Sequence, residues 1–216
     1  MLQRLEKKTT KNYYIRKVII KSMIITFFFS FFFISMYFLF IDDTVSLYTV
    51  FINNLSMNDR EHDNSDVTYD AVNHELNKYP ALNSKYGRLT IESVNIKLPI
   101  YLGDSYKVLA KGIGHYAGSK FPGEGGSIVM AGHNTKGFLY NLYDINIDDI
   151  IDVKTVYGNF KYQVFRTEVI KDKEIGKLSL VLSEETLILY TCYPHTLGKT
   201  NKRFVVYSHL VEANYE

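Results

Sequence analysis

The sequence predicts an all-β barrel domain of about 130 residues, carried behind a single membrane-spanning helix. Three observations lead there. An uncharged, Phe-rich run extends from Ser22 to Ile41. A polar, weakly patterned stretch covers residues 42–86. From Gly87 onward, short runs of Ile, Val, Leu and Tyr alternate with Gly, Asn and Asp, the texture of strands separated by turns.

The apolar run comes first. About 20 helical residues rising 1.5 Å each span about 30 Å, the hydrocarbon thickness of a bilayer. Arg4, Lys7, Lys8, Lys11, Arg16, Lys17 and Lys21 precede it, opposed only by Glu6, and Asp42-Asp43 follow it. That asymmetry predicts an N-terminus in the cytoplasm and everything after Asp42 outside. The run is long for a signal peptide and no small-x-small cleavage site follows, so an uncleaved anchor is expected. No second apolar run lies near the C-terminus, so a single crossing is expected.

The whole-chain charge of +2 conceals two regions. The basic tail leaves the remainder mildly acidic, which disfavours a nucleic-acid surface. There is no zinc-type Cys/His spacing, no phosphate-binding Gly-rich loop and no internal repeat, and no cofactor is expected. Asp144, Asp148, Asp149 and Asp152 match no calcium-loop spacing and read as a solvated turn; no metal is expected.

Residues 58–66 read as a solvated spacer. A short helix is expected between Val67 and Tyr79, capped by Asp66 and ended by Pro80. Arg88–Val94 and Ile96–Leu102 read as a hairpin, and Gly126–Ala131 as a buried strand. Ile150–Val156 and Phe160–Ile170 flank a tight turn at Tyr157-Gly158-Asn159. Thr186–Thr191 and Arg203–Val211 complete the strands. Short helices are expected at Ser105–Lys111, capped by Asp104, and near Phe138–Tyr143.

Cys192 is the sole cysteine. Exported proteins generally use cysteines in pairs, so a lone one is either an inert core thiol or a nucleophile. It ends one strand and Arg203 begins the next. If the two pair antiparallel, thiol and guanidinium lie at the same end of the sheet. A permanent cation favours the thiolate and can stabilise an oxyanion. Acyl transfer also needs a proton donor for the leaving amine, a role suited to His. His62 and His74 lie in the spacer, His209 within the last strand, and His115 in a Gly-rich turn. His133 follows the buried run Ser127–Gly132, and His195 is close to Cys192 but loop-borne. The residues alone rank His133 first and His195 close behind.

Ala131-Gly132-His133-Asn134, Leu189-Tyr190-Thr191-Cys192 and Arg203 together resemble the catalytic signature of the sortases, membrane-anchored cysteine transpeptidases of Gram-positive cell surfaces. The family's strand motif is Thr-Leu-x-Thr-Cys; Ile188 replaces its first Thr here. The resemblance extends from about Gly87 to Val211. It implies a closed or nearly closed β-barrel of about eight strands with short helices. The domains would be a cytoplasmic tail (1–21), a transmembrane helix (22–41), a spacer (42–86) and a catalytic barrel (87–216).

The resemblance implies Cys192 as nucleophile, His133 as general acid and then base, and Arg203 as holder of the substrate backbone or oxyanion. Thr191 is a candidate substrate contact, although strand alternation could equally turn it into the barrel. The implied donor is a Leu-Pro-x-Thr-Gly signal on a surface or pilin protein. The implied acceptor is an amine of a cell-wall precursor or of a pilin. Gly112–Tyr116, Phe121–Gly126 and Cys192-Tyr193-Pro194 resemble class D. The absence of tryptophan and of a C-terminal apolar tail disfavours the pilus-building class C. A tethered cysteine hydrolase and a surface adhesion or scaffold module are the competing readings.

Overall fold

The computed structural model of the protein describes residues 15–38, 67–70, 73–177, 183–194 and 200–215. The expected solvated spacer (58–66), His62 and His195 lie outside the described residues. The chain divides into two units, Met1–Val45 and Ser46–Glu216.

The described part of the first unit is one helix, α1 (Ile15–Phe38), long and apolar enough to cross a membrane. It starts before Ser22 and takes in Arg16, Lys17 and Lys21, good helix formers with no intervening Gly or Pro. Its apolar side chains are exposed all round, Phe27 at 68% and Phe38 at 69%. An apolar helix exposed on every side matches a hydrocarbon surrounding better than water. The hydroxyl of Thr26 donates to the Ser22 carbonyl (2.9 Å), so its polar atom is satisfied within the helix.

The second unit opens with two short strands, β1 (Tyr69–Asp70) and β2 (Glu75–Leu76), paired antiparallel. These replace the helix expected between Val67 and Tyr79. Tertiary contacts override the local preference. The Tyr69 ring stacks on Tyr215 (centroids 4.3 Å apart), and its hydroxyl donates to the Gly123 carbonyl (2.8 Å). Leu76 N and the Tyr79 hydroxyl both donate to the Glu124 carboxylate (3.1 and 2.9 Å).

Eight strands then close a barrel in the order β10 (Lys202–Tyr215), β8 (Gly158–Lys171), β7 (Ile150–Thr155), β3 (Lys85–Ile91), β4 (Ile96–Leu102), β5 (Ile113–His115), β6 (Ser127–Ala131) and β9 (Thr186–Tyr193). β3 (Lys85–Ile91) and β4 (Ile96–Leu102) form the expected hairpin. β3 ends earlier than expected because residues 92–94 form a 3-10 turn, closed by Asn95 in the left-handed region (φ 52°), a conformation Asn tolerates. The short helix α2 (Tyr106–Leu109) has Ser105 at its N-cap, one residue later than the expected Asp104. It connects β4 to β5 (Ile113–His115), which run parallel. β5 leaves no trace in the sequence, because three residues flanked and interrupted by glycine carry no strand pattern. Gly112 is needed for closure, because a Cβ there would lie 2.4 Å from the Pro99 carbonyl oxygen.

β6 (Ser127–Ala131), β7 (Ile150–Thr155), β8 (Gly158–Lys171), β9 (Thr186–Tyr193) and β10 (Lys202–Tyr215) follow the expected order. The β7–β8 turn uses Val156 and Tyr157, and a 3-10 turn at Tyr140–Asp144 stands close to the expected second helix. Carboxylates in this region serve the turn: Asp149 accepts from Asn146 N (2.9 Å) and from the Ser93 hydroxyl (2.8 Å).

Strand alternation sorts side chains into two layers. Leu89, Leu98, Ile100, Ile128, Met130, Leu187, Leu189 and Val206 fill the interior, each at most 1% exposed. Burying each such side chain contributes roughly 1.5–3 kcal/mol. The opposite parity of β6, β9 and β10 puts Val129, Ile188, Val205 and Tyr207 in a second, smaller cluster with Tyr190 packed against it. The candidate site lies on this second face.

Candidate active site

β6 and β9 are parallel neighbours, with Ala131 opposite Tyr190. Two residues further on, the adjoining strand ends present His133 and Cys192. On the other side of β9, Cys192 pairs directly with Arg203 of β10. Parity places Cys192 with Ile188 and Tyr190, and Arg203 with Val205 and Tyr207, on the face that also carries Val129 of β6, and His133 follows two residues after the end of β6. Three residues scattered over 71 positions thus reach one end of the sheet through two strand pairings.

Cys192 is a free thiol of intermediate exposure. His133 is about half-buried, and burial lowers its pKa below the ordinary 6.5, so the imidazole is neutral at pH 7. Its ring lies between two aromatic edges, Tyr106 (6.1 Å) and Phe138 (5.9 Å). Tyr106 is 80% exposed, a large apolar ring on the rim of the site. The His133 carbonyl accepts from Leu139 N (2.9 Å), which fixes the backbone of the following loop.

The Arg203 side chain is 17% exposed. Its guanidinium bonds Asp172 Oδ1 at 2.8 Å and donates through Nη1 to the carbonyls of Thr200 (3.0 Å) and Lys202 (2.9 Å). Asp172, absent from the sequence reading, follows β8 directly, and its own amide donates to the Asn201 carbonyl (2.8 Å). Several donors of the fork are therefore engaged by protein, and the charge is shared with a half-exposed carboxylate.

Thr191 corrects a sequence expectation. It is 1% exposed, and its hydroxyl donates to the Gly132 carbonyl (2.8 Å). Its parity is that of Leu187 and Leu189, so it faces the barrel interior and ties β9 to β6. It offers no surface to a substrate.

The Cys192 carbonyl is held from two sides. Asn134 Nδ2 donates to it at 2.6 Å and to the Pro194 carbonyl at 3.2 Å. The Tyr143 hydroxyl also donates to the Cys192 carbonyl and accepts from Asn134 Nδ2 (2.8 Å). The Tyr143 ring meets Tyr193 and Phe204 edge-on. Neither residue was singled out in the sequence. Asn134 stood in the motif beside His133, but nothing local shows where its amide points.

The other described histidines lie elsewhere. His74 is in the β1–β2 turn and His209 is on β10 against Phe165. His115 is not turn decoration but a fully buried residue of β5. Its Nε2 lies 3.1 Å from the Lys120 carbonyl, which can only accept, so Nε2 carries the proton and Nδ1 accepts from the Tyr86 hydroxyl (2.7 Å). Burial lowers its pKa to about 4. Among the described residues, no group of three or more His, Cys, Asp or Glu side chains is arranged to hold a metal ion.

The end of the barrel opposite this site is occupied by the β1–β2 hairpin. Lys202 pairs with Lys171 near Cys192, whereas Tyr215, the ring that Tyr69 stacks on, pairs with Gly158. At the strand rise of about 3.4 Å, the contour from Arg203 to Tyr215 is about 40 Å. The β1–β2 hairpin therefore lies toward the end of β10 far from Arg203.

Comparison with known proteins identifies the family of this fold. The Sortase domain family model matches residues 89–211. Sortase D of Bacillus subtilis (strain 168) is 32% identical over 139 residues, covering 64% of this chain and 70% of that protein. Among solved structures, sortase A of Listeria monocytogenes superposes with a TM-score of 0.56 at 20% identity, covering 61% of this chain and 90% of that one. Sortase C1 of Streptococcus agalactiae does so with a TM-score of 0.54 at 30% identity, covering 59% and 68%. The barrel, its strand order and these matches together establish that the chain belongs to the sortase family of transpeptidases.

Proposed function

We propose that this sortase is a class D enzyme that cuts a Leu-Pro-x-Thr-Gly-type sorting signal after Thr and joins the acyl part to an amine of a cell-wall precursor. The observation that supports the reading is the double pairing of β9, which sets Cys192 opposite Arg203 of β10 and runs beside β6, the strand that ends two residues before His133. The Bacillus subtilis relative supports class D. α1 supports membrane attachment, and the basic residues before it support an N-terminus in the cytoplasm with the barrel outside.

The chemistry follows from the groups present. His133, neutral because of its burial, takes the proton of the Cys192 thiol. The thiolate sulfur attacks the Thr carbonyl and forms a C–S bond. Arg203 holds the substrate backbone or the resulting oxyanion. Collapse breaks the Thr–Gly C–N bond, and the imidazolium returns its proton to the leaving amine. An incoming amine then attacks the thioester, loses a proton to His133 and releases the thiol. The reactive centre sits beside Tyr190 and Tyr106, apolar surface suited to the aliphatic part of a sorting signal.

A second reading follows from the 30% identity to sortase C1 of Streptococcus agalactiae: the acceptor amine belongs to another pilin subunit. Mass spectrometry of the full-length enzyme in detergent, given a Leu-Pro-x-Thr-Gly peptide library and several amines, tests both. A product cut after Thr and joined to amine, absent in Cys192→Ala, is expected. Joining only to a pilin lysine would favour the second reading. Cleavage without joining would make the enzyme a hydrolase, and no cleavage with an unreactive Cys192 would overturn the proposal.

A further inference from the structure

The parallel ladder between β6 and β9 sets up a conflict at its upper end. Tyr190 spends its carbonyl on Gly132 N (3.2 Å). In an extended strand, carbonyls two residues apart point the same way, so the Cys192 carbonyl also faces β6. A continued ladder would supply the next backbone N–H from that strand. β6 instead ends at Ala131 and the chain turns away at His133, whose carbonyl is taken by Leu139 N in the following loop. The Cys192 carbonyl would be left without its rung at the residue whose side chain must be placed accurately.

The geometry points to Asn134 as a positioning residue that supplies this missing rung, with Tyr143 as its second support. The Asn134 carboxamide replaces the backbone donor and holds the Cys192 carbonyl at 2.6 Å. The Tyr143 hydroxyl donates to the same oxygen, and Asn134 Nδ2 also reaches the Pro194 carbonyl. The ladder can therefore end at Gly132 and release His133 from it, while the strand carrying Cys192 keeps its alignment. Asn134 is covalently next to His133, so one residue couples the positions of base and nucleophile. The inference rests on the roles proposed above for Cys192 and His133. Both are argued to act through the backbone of Cys192, whose carbonyl they hold.

The test uses Asn134→Asp, which keeps size but turns a donor into an acceptor facing a carbonyl, and Tyr143→Phe, which removes only the hydroxyl. Two readouts are taken on the full-length enzyme in detergent: steady-state peptide cleavage, and the pH dependence of Cys192 alkylation by iodoacetamide. The expected result for Asn134→Asp is a kcat lower by about 10- to 100-fold, the scale of an ångström-level misplacement. KM should stay within about twofold and the alkylation profile should shift along the pH axis. Tyr143→Phe should show a smaller loss of the same kind, and the double variant should lose less than the product of the two. Wild-type kcat together with a wild-type alkylation profile in both variants would overturn the inference. So would losses that follow melting temperature alone. If the wild-type enzyme cleaves no sorting peptide, the proposed function fails, yet the alkylation profiles still decide whether the two side chains position Cys192.

Discussion

Acidification from pH 7 to pH 4 should destabilise the barrel chiefly through His115. The imidazole is fully buried, with Tyr86, Ser119, the Lys120 carbonyl and the Phe121 ring around it and no carboxylate among its hydrogen-bond partners. Its folded pKa of about 4 lies below the ordinary 6.5. Between those values the unfolded chain binds a proton that the folded chain does not. The stability it contributes is fully present above about pH 6.5 and is lost as pH falls through the folded pKa. At roughly 1.4 kcal/mol per pH unit, the gap amounts to about 3 kcal/mol, a sizeable fraction of the 5–15 kcal/mol typical of a domain. Burial shifts His133 in the same direction. The assay is urea unfolding at pH 7, 6, 5 and 4.5, followed by near-UV tyrosine dichroism, since the chain has no tryptophan. His115→Gln keeps a donor for the Lys120 carbonyl but cannot titrate. Wild type should lose about 2 kcal/mol more than the variant between pH 6.5 and 4.5. Parallel stability curves would show that His115 protonates without cost, and the reasoning from burial would fail.

Two further outcomes follow from the packing. Thr191→Val should cost about 1–2 kcal/mol by leaving the Gly132 carbonyl without its donor, with substrate KM unchanged within about twofold; a raised KM at wild-type stability would restore Thr191 as a substrate contact. Gly112→Ala should destabilise by about 1–3 kcal/mol, because the new methyl group meets the Pro99 backbone, whereas Gly176→Ala, which meets nothing within 4 Å, should stay within about 0.5 kcal/mol in thermal melts.

Much of the barrel was legible because strands leave a periodic trace. The runs at Ile96–Leu102, Ile150–Val156 and Phe160–Ile170 became β4, β7 and β8 with small changes at their ends. The trace fails where strands are too short or where distant partners decide. β5 carries only Ile113 between glycines, and its conformation comes from pairing with β4 and β6. The Val67–Tyr79 segment had the cap and stop of a helix, yet Tyr69 gains more by stacking on Tyr215 from the other end of the chain.

The residue types alone therefore determined a single apolar helix, a barrel made of alternating strands, one lone thiol, and a histidine and an arginine at strand ends. These are local properties: periodicity, composition and the chemistry of each side chain. Only the tertiary structure decided that β6 lies beside β9 on the side away from β10, which sets the strand before His133 next to the strand that carries Cys192. It also decided that Thr191 faces inward, that Asp172 holds Arg203, and that Asn134 and Tyr143 grip the Cys192 carbonyl. Each of these depends on register between strands far apart in sequence, and register is set by the closure of the whole barrel rather than by any segment within it.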